Sequence, residues 1–261
     1  MSPFDHAAPF HLETERECFT GALSFCAAPL EALDAQAAQM LSPQEKALLT
    51  DRQFPRRRHS LLLGRRAAKQ ALRLLLPGTP DHELSILPGV LNQPVVSGSV
   101  PGNLQVSLSH TGSLALAAAH PEACPMGVDL DRVSATHRAA LAQQIGEDER
   151  DRTLGIVDGD EDARMLALWC QKEALSKVLR CGLTVPFRLL EVSDMTRNGP
   201  GFQVRFTHFG QYAGFGLCGT HLALAVVLPR HVRWTLTDRR APLERLAAWL
   251  AHAERAIAVT P

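Results

Sequence analysis

Two acidic residues in a short apolar stretch are the first place in this sequence where chemistry is indicated. In "GVDLDRV", residues 127–133, Asp129 and Asp131 stand two positions apart between aliphatic residues. Successive side chains of a strand point to opposite faces, so both carboxylates would share one face and repel each other. A hard divalent cation such as Mg²⁺ would relieve that repulsion. The alternative is a pair of solvated strand acids, which are common on protein surfaces.

A third carboxylate stands in the helical stretch "LWCQKEALSKVL", residues 168–179. Glu173 and Lys177 are four positions apart and therefore lie on one helix face, which Lys172 borders. One interpretation is a surface ion pair worth a few tenths of a kcal/mol. The other is a further carboxylate for the same cation, with lysine charge directed at a phosphate group.

Ser109 and His110 close the strand-like part of "VSLSHTGSLALAA", residues 106–118, just before a Thr-Gly-Ser turn. The N–H groups of the turn and these two side chains predict a phosphate-binding corner. A hairpin turn with a capping serine is the alternative. A Ser–His hydrolase is disfavoured, because neighbouring side chains on a strand point apart.

The chain alternates strand-like and helix-like stretches, which predicts an α/β protein. The stretch 42–52 opens with Ser42 and has Glu45 three positions later, the pattern of a capping box. The Pro- and Gly-rich stretch 77–103 is expected on the surface, and the last helix is expected to pack on the outside. Strands are predicted at 22–28, 84–87, 104–109, 114–120, 126–131, 187–193, 201–207 and 222–228, and helices at 42–52, 56–76, 135–144, 161–180 and 241–258.

The two halves of the chain resemble each other. The helix "RRAAKQALRLL" is followed by "SHTGSLALAAA", and the helix "CQKEALSKVLR" is followed by "GTHLALAVVL". Aligning Lys69 with Lys177 puts Arg65 opposite Glu173. It also brings His110 near His221, the histidine of "GTHLALAVVL". This predicts a duplicated α/β unit with a site between the copies.

Composition narrows the classes of function. The chain has 261 residues and a formal net charge of +0, so bulk charge favours neither a nucleic-acid nor a membrane partner. No signal peptide or membrane span is evident, and a cytoplasmic protein is expected. The six cysteines form no CxxC pair, so neither a zinc site nor a disulfide framework is indicated.

The three stretches together resemble a family. "VSLSH", "MGVDLD" and "LWCQKEALSK", in this order, are similar to the signature of the 4′-phosphopantetheinyl transferases of the surfactin-synthetase-activating type. That signature is a Ser-His pair, then G-[VI]-D-x-[ED], then [WF]-x-x-K-E-[AS]-x-x-K, and the resemblance covers most of residues 40–228. It implies a monomer built as a pseudo-dimer of two α/β halves, residues 1–120 and 121–230, followed by a helical extension, residues 231–261.

The resemblance also implies a reaction. A relative of this family would move 4′-phosphopantetheine from coenzyme A to a serine of an acyl or peptidyl carrier protein and release adenosine 3′,5′-bisphosphate. Glu173 or a metal-bound water would be the base, a choice that the sequence leaves open. The alternative is a non-catalytic relative that binds coenzyme A or the carrier protein.

Most site residues follow from the same resemblance, and Arg65 is added because it lies on the basic face of the long helix over 56–76. Asp129, Asp131 and Glu173 would hold Mg²⁺, with Mn²⁺ as an alternative, and Asp129, Glu173 and Lys177 would be catalytic. The residues expected to contact coenzyme A are Gln93 and Pro94 beside the adenine, Ser109 and His110 on phosphate, Lys177 on the pyrophosphate, Lys172 at the rim, and Arg65.

Two positions depart from the family in charge. The family's adenine loop has a basic residue before its proline where this chain has Gln93, and a basic residue found in some relatives is missing at Leu48. A compensation is expected in the long helix, where Arg65, Lys69 and Arg73 stack at a spacing that costs helix stability. Their partner would be coenzyme A phosphates or an acidic carrier helix, and the alternative is a solvated face.

Overall fold

The computed structural model of the protein describes residues 4–50, 53–98, 100, 103–134, 138–238 and 240–259. Its strands are β1 (His6–Glu13), β2 (Cys18–Ala27), β3 (Ser85–Pro88), β4 (Pro94–Ser97), β5 (Leu104–Thr111), β6 (Leu114–Pro121), β7 (Gly127–Arg132), β8 (Val192–Asn198), β9 (Gly201–Phe206), β10 (Tyr212–Cys218), β11 (Leu222–Pro229) and β12 (Arg233–Leu236). Its α-helices are α1 (Leu30–Met40), α2 (Pro43–Lys46), α3 (Pro55–Leu75), α4 (Arg138–Gln144), α5 (Glu147–Asp151), α6 (Glu161–Val178) and α7 (Pro242–Val259).

Two antiparallel five-stranded sheets organise the chain. The first has the order β12-β1-β2-β6-β5 and the second the order β7-β11-β10-β9-β8, while β3 and β4 form a separate hairpin. Helix α3 packs on β6 and β2, and helix α6 packs on β11 and β7. The predicted mixed α/β fold with two similar halves is confirmed by this arrangement.

The repeat follows the order strand, three helices, four strands. In the first half this is β2, α1 to α3 and β3 to β6, and in the second half β7, α4 to α6 and β8 to β11. The three sheet positions β2-β6-β5 correspond to β7-β11-β10. Each long helix therefore covers the first and last strands of its own unit, which is how an amphipathic helix buries its apolar face.

A buried Lys–Glu pair marks equivalent positions in the two halves. Lys69 on α3 binds Glu45, and Lys172 on α6 binds Glu149, and all four side chains are almost fully buried. Each glutamate also closes the turn that starts a short helix and accepts a backbone N–H from the strand region after the long helix. The predicted capping box at residue 42 is confirmed.

The equivalent of Lys69 is therefore Lys172, and the alignment of Lys69 with Lys177 is wrong by five positions. That alignment rested on a spacing of four residues and on the two downstream histidines, and neither separates a lysine that faces the interior from one that faces a cleft. With Lys69 on Lys172, Gln70 falls opposite Glu173, so the first half carries an amide where the second half carries the predicted site carboxylate.

Several predicted boundaries change. The helix expected over 42–52 is only Pro43–Lys46, and the strand expected over 187–193 starts as a 3-10 turn, Phe187–Leu190, after Pro186. Residues 135–137 of one predicted helix and residues 51–52 lie outside the described residues. Strands β1, β4, β10 and β12 and helices α1 and α5 were not predicted.

The C-terminal segment is part of the core. β12 pairs with β1 at the edge of the first sheet, so the extension expected to be helical contains a strand as well as a helix. Helix α7 buries Leu246, Trp249 and Ala253 in one cluster with residues of both sheets. The predicted amphipathic helix is therefore present, with this apolar face on the sheets and residues such as Glu244 and Arg255 exposed. In the described part of the chain, no helix combines the length and apolarity needed to cross a membrane.

Candidate active site

The site forms where the two sheets meet. β5 and β7, the edge strands of the two sheets, pack side by side. Ser109 Oγ donates to Asp129 Oδ1 over 2.7 Å, and Thr111 Oγ1 donates to Asp131 Oδ1 over 3.0 Å. Because both pairs are two residues apart on their strands, hydroxyls of one half face carboxylates of the other.

Asp129 is the most constrained of the predicted ligands. Its side chain is 7% exposed, and Lys177 Nζ donates to Oδ1 over 2.8 Å and to the Val128 carbonyl over 2.9 Å. Ser109 reaches the same carboxylate oxygen from the opposite half. The Asp129 carboxylate is thus oriented by two charge-assisted hydrogen bonds, one from the Lys177 ammonium and one from the Ser109 hydroxyl.

Close packing of β7 on α6 brings these groups together. A Cβ atom added to Gly127 would lie 2.0 Å from the Ala174 carbonyl oxygen of α6. No side chain fits there, so the glycine of the "MGVDLD" stretch lets the strand approach the helix that carries Glu173 and Lys177.

Glu173 is electrostatically coupled to the strand carboxylates. Burial raises the pKa of Glu173 to about 7, with the Asp129 carboxylate as the next cause and Asp131 adding to it, while Lys177 opposes the shift. A carboxyl group with such a pKa exchanges its proton near neutral pH, as a general base must.

The carboxylates match Mg²⁺ in chemistry, since the cation prefers oxygen ligands and uses few protein carboxylates. Burial is the main cause of the raised pKa of Glu173, and the Asp129 and Asp131 carboxylates add a like-charge repulsion that a cation would relieve. Within residues 4–259 as described, however, no three Asp, Glu, His or Cys side chains are arranged to hold a metal ion on their own. Magnesium at Asp129, Asp131 and Glu173 therefore stays a prediction.

A cavity of about 250 Å³ opens beside these residues, between the two halves. Gln93 and Pro94 line it from the β3–β4 hairpin, and Glu173 and Lys177 line it from α6. The structure thus brings together four residues that the sequence placed in one site. A larger polar depression of about 740 Å³, between α1 and α3, contains none of the predicted site residues.

The expectation that Lys172 adds charge at the rim is wrong. Its ammonium is fully buried, donates to Glu149 over 2.7 Å, and also binds the Gln144 and Phe187 carbonyls. Burial lowers the pKa of Lys172, and the bond to Glu149 opposes that shift. This lysine supports the second half from within and is not among the described residues that line the 250 Å³ cavity.

The stacked cations of α3 have internal partners. Arg65 donates to the Ile86 carbonyl over 2.7 Å and approaches Glu45, and Arg73 binds Asp81 through both carboxylate oxygens. Lys69 is buried against the same Glu45. The protein itself therefore offsets the repulsion that suggested an external anion, and Arg65 is absent from the residues lining the cavity.

Ser109 and His110 do not converge on one point. Ser109 turns toward Asp129, whereas His110 occupies the alternate position of β5 and is exposed. The phosphate-binding corner predicted from the pair therefore reduces to His110 and the turn.

Four residues near the site were missed by sequence reasoning. Ser107 and Thr111 continue the row of Ser109, and Ser107 Oγ accepts the Val128 N–H over 2.9 Å. Hydroxyls at alternate positions of "VSLSHT" were the available signal, since period two marks one strand face. His120 and Arg180 also line the cavity, and neither carried a local signal.

His120 should make the stability of the protein depend on pH. It is 4% exposed, Nδ1 donates to the Pro121 carbonyl over 3.0 Å, and burial lowers its pKa to about 4. The unfolded chain binds this proton below about pH 6.5, so the stability is complete above that pH and is lost as pH falls toward 4.

Between pH 7.5 and 5 we expect the His120 contribution to cost roughly 2 kcal/mol of unfolding free energy. Urea denaturation at both pH values measures this loss, and His120→Asn, which keeps a donor for Pro121, should remove most of it. An identical pH dependence in the variant and the wild type would contradict the assignment.

Part of the chain is similar to a known family of proteins. Residues 125–226, from just before β7 into β11, match the 4′-phosphopantetheinyl transferase superfamily. No curated protein matches the chain.

Solved structures similar to the chain include two holo-(acyl-carrier-protein) synthases. The one from Bacillus anthracis str. Ames, in complex with CoA (3′,5′-ADP), is 16% identical, covers 42% of this chain and 96% of its own, and has a TM-score of 0.33. The one from Helicobacter pylori, in complex with coenzyme A, is 19% identical, covers 37% of this chain and 96% of its own, and has a TM-score of 0.30. The match over residues 125–226 confirms the resemblance to the 4′-phosphopantetheinyl transferase superfamily for the half of the molecule that carries Asp129, Asp131, Glu173 and Lys177.

Proposed function

We propose that this protein transfers 4′-phosphopantetheine from coenzyme A to a serine of an acyl or peptidyl carrier protein. The observation that carries the proposal is the junction of the two halves. There, Glu173 and Lys177 of α6 line a cavity that the β3–β4 hairpin also lines, and Lys177 binds Asp129 of the acidic strand β7. Both β7 and α6 lie within the segment that matches the family.

In the proposed reaction, the carrier serine oxygen forms a bond to the pyrophosphate phosphorus that bears the pantetheine arm. The bond from that phosphorus to the bridging oxygen breaks, and adenosine 3′,5′-bisphosphate leaves. Glu173 takes the serine proton in this proposal, because its carboxylate lines the cavity beside Lys177. Catalysis of such a displacement depends mainly on positioning and on neutralising phosphate charge.

Asp129, Asp131 and Glu173 are the residues that would hold Mg²⁺, and the ion when bound would neutralise charge on the pyrophosphate. Lys177 and Ser109 keep the Asp129 carboxylate turned toward the junction from two sides. In this proposal the lysine also presents its positive charge to the pyrophosphate as that group enters the cavity.

Coenzyme A would occupy the cavity with its adenine beside Gln93 and Pro94, which line the wall. His110 would reach the 3′-phosphate from the exposed end of β5. We further propose a cytoplasmic monomer in which residues 1–120 form the coenzyme A side, residues 121–230 carry the catalytic motifs, and residues 231–261 join the halves through β12 and α7.

Mass spectrometry tests the function directly. An apo carrier domain incubated with the protein, coenzyme A and Mg²⁺ should gain the mass of one phosphopantetheine arm on its serine. Carrier protein with that serine changed to alanine is the control and should gain nothing. Saturable binding of coenzyme A with no transfer to any carrier would instead support a non-catalytic relative.

A further inference from the structure

Arg180 ends helix α6 in a backbone conformation that suits glycine. Its φ is 55°, in the left-handed region. The Cys181 N–H binds the Ser176 carbonyl over 3.1 Å and the Arg180 N–H binds the Lys177 carbonyl over 3.2 Å, the two bonds of a Schellman motif. The residue at this position of the motif is usually glycine, because any Cβ is strained there.

The strain coincides with the cavity. Among the non-glycine residues that the structure describes, only Asn92 and Arg180 have positive φ, and both line the 250 Å³ cavity, one from each half. Strained backbone of this kind persists where the side chain has a use, and it concentrates at binding sites.

The charge of Arg180 is available to a ligand. Of the described residues lining the cavity, Lys177 and Arg180 are the lysine and arginine side chains, and Lys177 is held by Asp129. Among the described residues, the ion-pair partner of Arg180 is Glu122, at 3.3 Å, and both side chains are nearly half exposed. An ion pair of that kind is screened by water and worth little, so the guanidinium can turn to a bound anion at small cost.

We propose that Arg180 is a phosphate-binding residue of this cavity, and that its guanidinium takes a phosphate group of coenzyme A. The assignment rests on the proposed function and deepens it. A guanidinium can bind two phosphate oxygens at once, which suits it to this task. It would supply the positive charge that Gln93 does not provide at the opposite wall.

Arg180→Gly separates the ligand role from a structural one. Glycine relieves the left-handed backbone, so the melting temperature should stay the same or rise. The dissociation constant for coenzyme A, measured by calorimetry with Mg²⁺ present, should increase about tenfold because a charged hydrogen bond is lost. Arg180→Lys should recover part of the affinity.

Arg197→Gln is the control, since it removes an arginine that pairs with exposed Asp158 and does not line the cavity, and its affinity should stay within about twofold of wild type. Loss of the Arg180→Gly penalty with 3′-dephospho-coenzyme A assigns the 3′-phosphate, and a persisting penalty assigns the diphosphate. Equal affinities for wild type and Arg180→Gly at low salt would overturn the inference while the proposed function stands. A wild-type protein that binds no coenzyme A would overturn both.

Discussion

Replacing Asp129 by asparagine should lower the rate of phosphopantetheine transfer by about a thousandfold. Asparagine keeps the shape of the side chain and an oxygen for the Ser109 hydroxyl, so the junction of β5 and β7 should survive. It removes the charge that binds Lys177 and that would bind Mg²⁺. Transfer measured with apo carrier protein over a range of Mg²⁺ concentrations checks this expectation.

Two controls sharpen the result. Ser109→Ala removes one bond to Asp129 but no charge, and should cost only about tenfold. Asp158→Asn removes a surface carboxylate that pairs with Arg197, and should change nothing. Activity of Asp129→Asn within a few-fold of wild type at saturating Mg²⁺ would exclude Asp129 from the reaction, whatever the family resemblance.

Much of the site could be predicted because its residues have regular spacing on regular elements. Asp129 and Asp131 share a strand face by period two, and Glu173 and Lys177 share a helix face by their spacing of four. Both pairs lie at the junction of the two halves. What spacing could not give is the partner of each group, as when Asp129 turns out to bind Lys177.

The lysines show where sequence reasoning fails. Lys172 and Lys177 are five positions apart on α6, so they lie on different faces, one toward the interior and one toward the cavity. In the sequence the two positions cannot be told apart by residue type, because both are lysines within the same helical stretch. The sequence signal for a buried lysine was its partner Glu149, which follows Gly146 by three positions as in a capping box. That pattern is hard to recognise because glycine stands where a capping box usually has serine or threonine.

The prediction from sequence misses the edge strand β12 and its neighbour β1 for another reason. β1 pairs with β12 across more than two hundred positions of the chain, with His11 opposite Thr235. Such pairing depends on where the rest of the fold places two segments, and four-residue strands carry little periodicity of their own. The same holds for α7, whose apolar face indicates burial but not which surface it covers.

Replacing Lys172 by methionine should lower the free energy of unfolding by about 3–5 kcal/mol. The change leaves the Glu149 carboxylate buried, 4% exposed, without its cation. Equilibrium urea denaturation measures the effect. Lys46→Met is the matched control, because that exposed lysine donates to the Ala38 carbonyl and is not buried against a carboxylate of the described residues, and its effect should stay within about 0.5 kcal/mol.

The double variant Lys172→Met, Glu149→Gln tests the cause. Glutamine removes the unpaired charge yet keeps an oxygen for the Val192 N–H, so a substantial part of the lost stability should return. The equivalent pair in the first half, Lys69→Met with Glu45→Gln, should behave in the same way, since Glu45 likewise accepts the Ile86 N–H. A Lys172→Met protein of wild-type stability with a raised KM for coenzyme A would place this lysine in the cleft after all. Parallel losses of unfolding free energy in the two halves would instead show that each copy of the duplicated unit needs its buried Lys–Glu pair. In each copy the pair joins the long helix to the strand that follows it, β3 in the first half and β8 in the second.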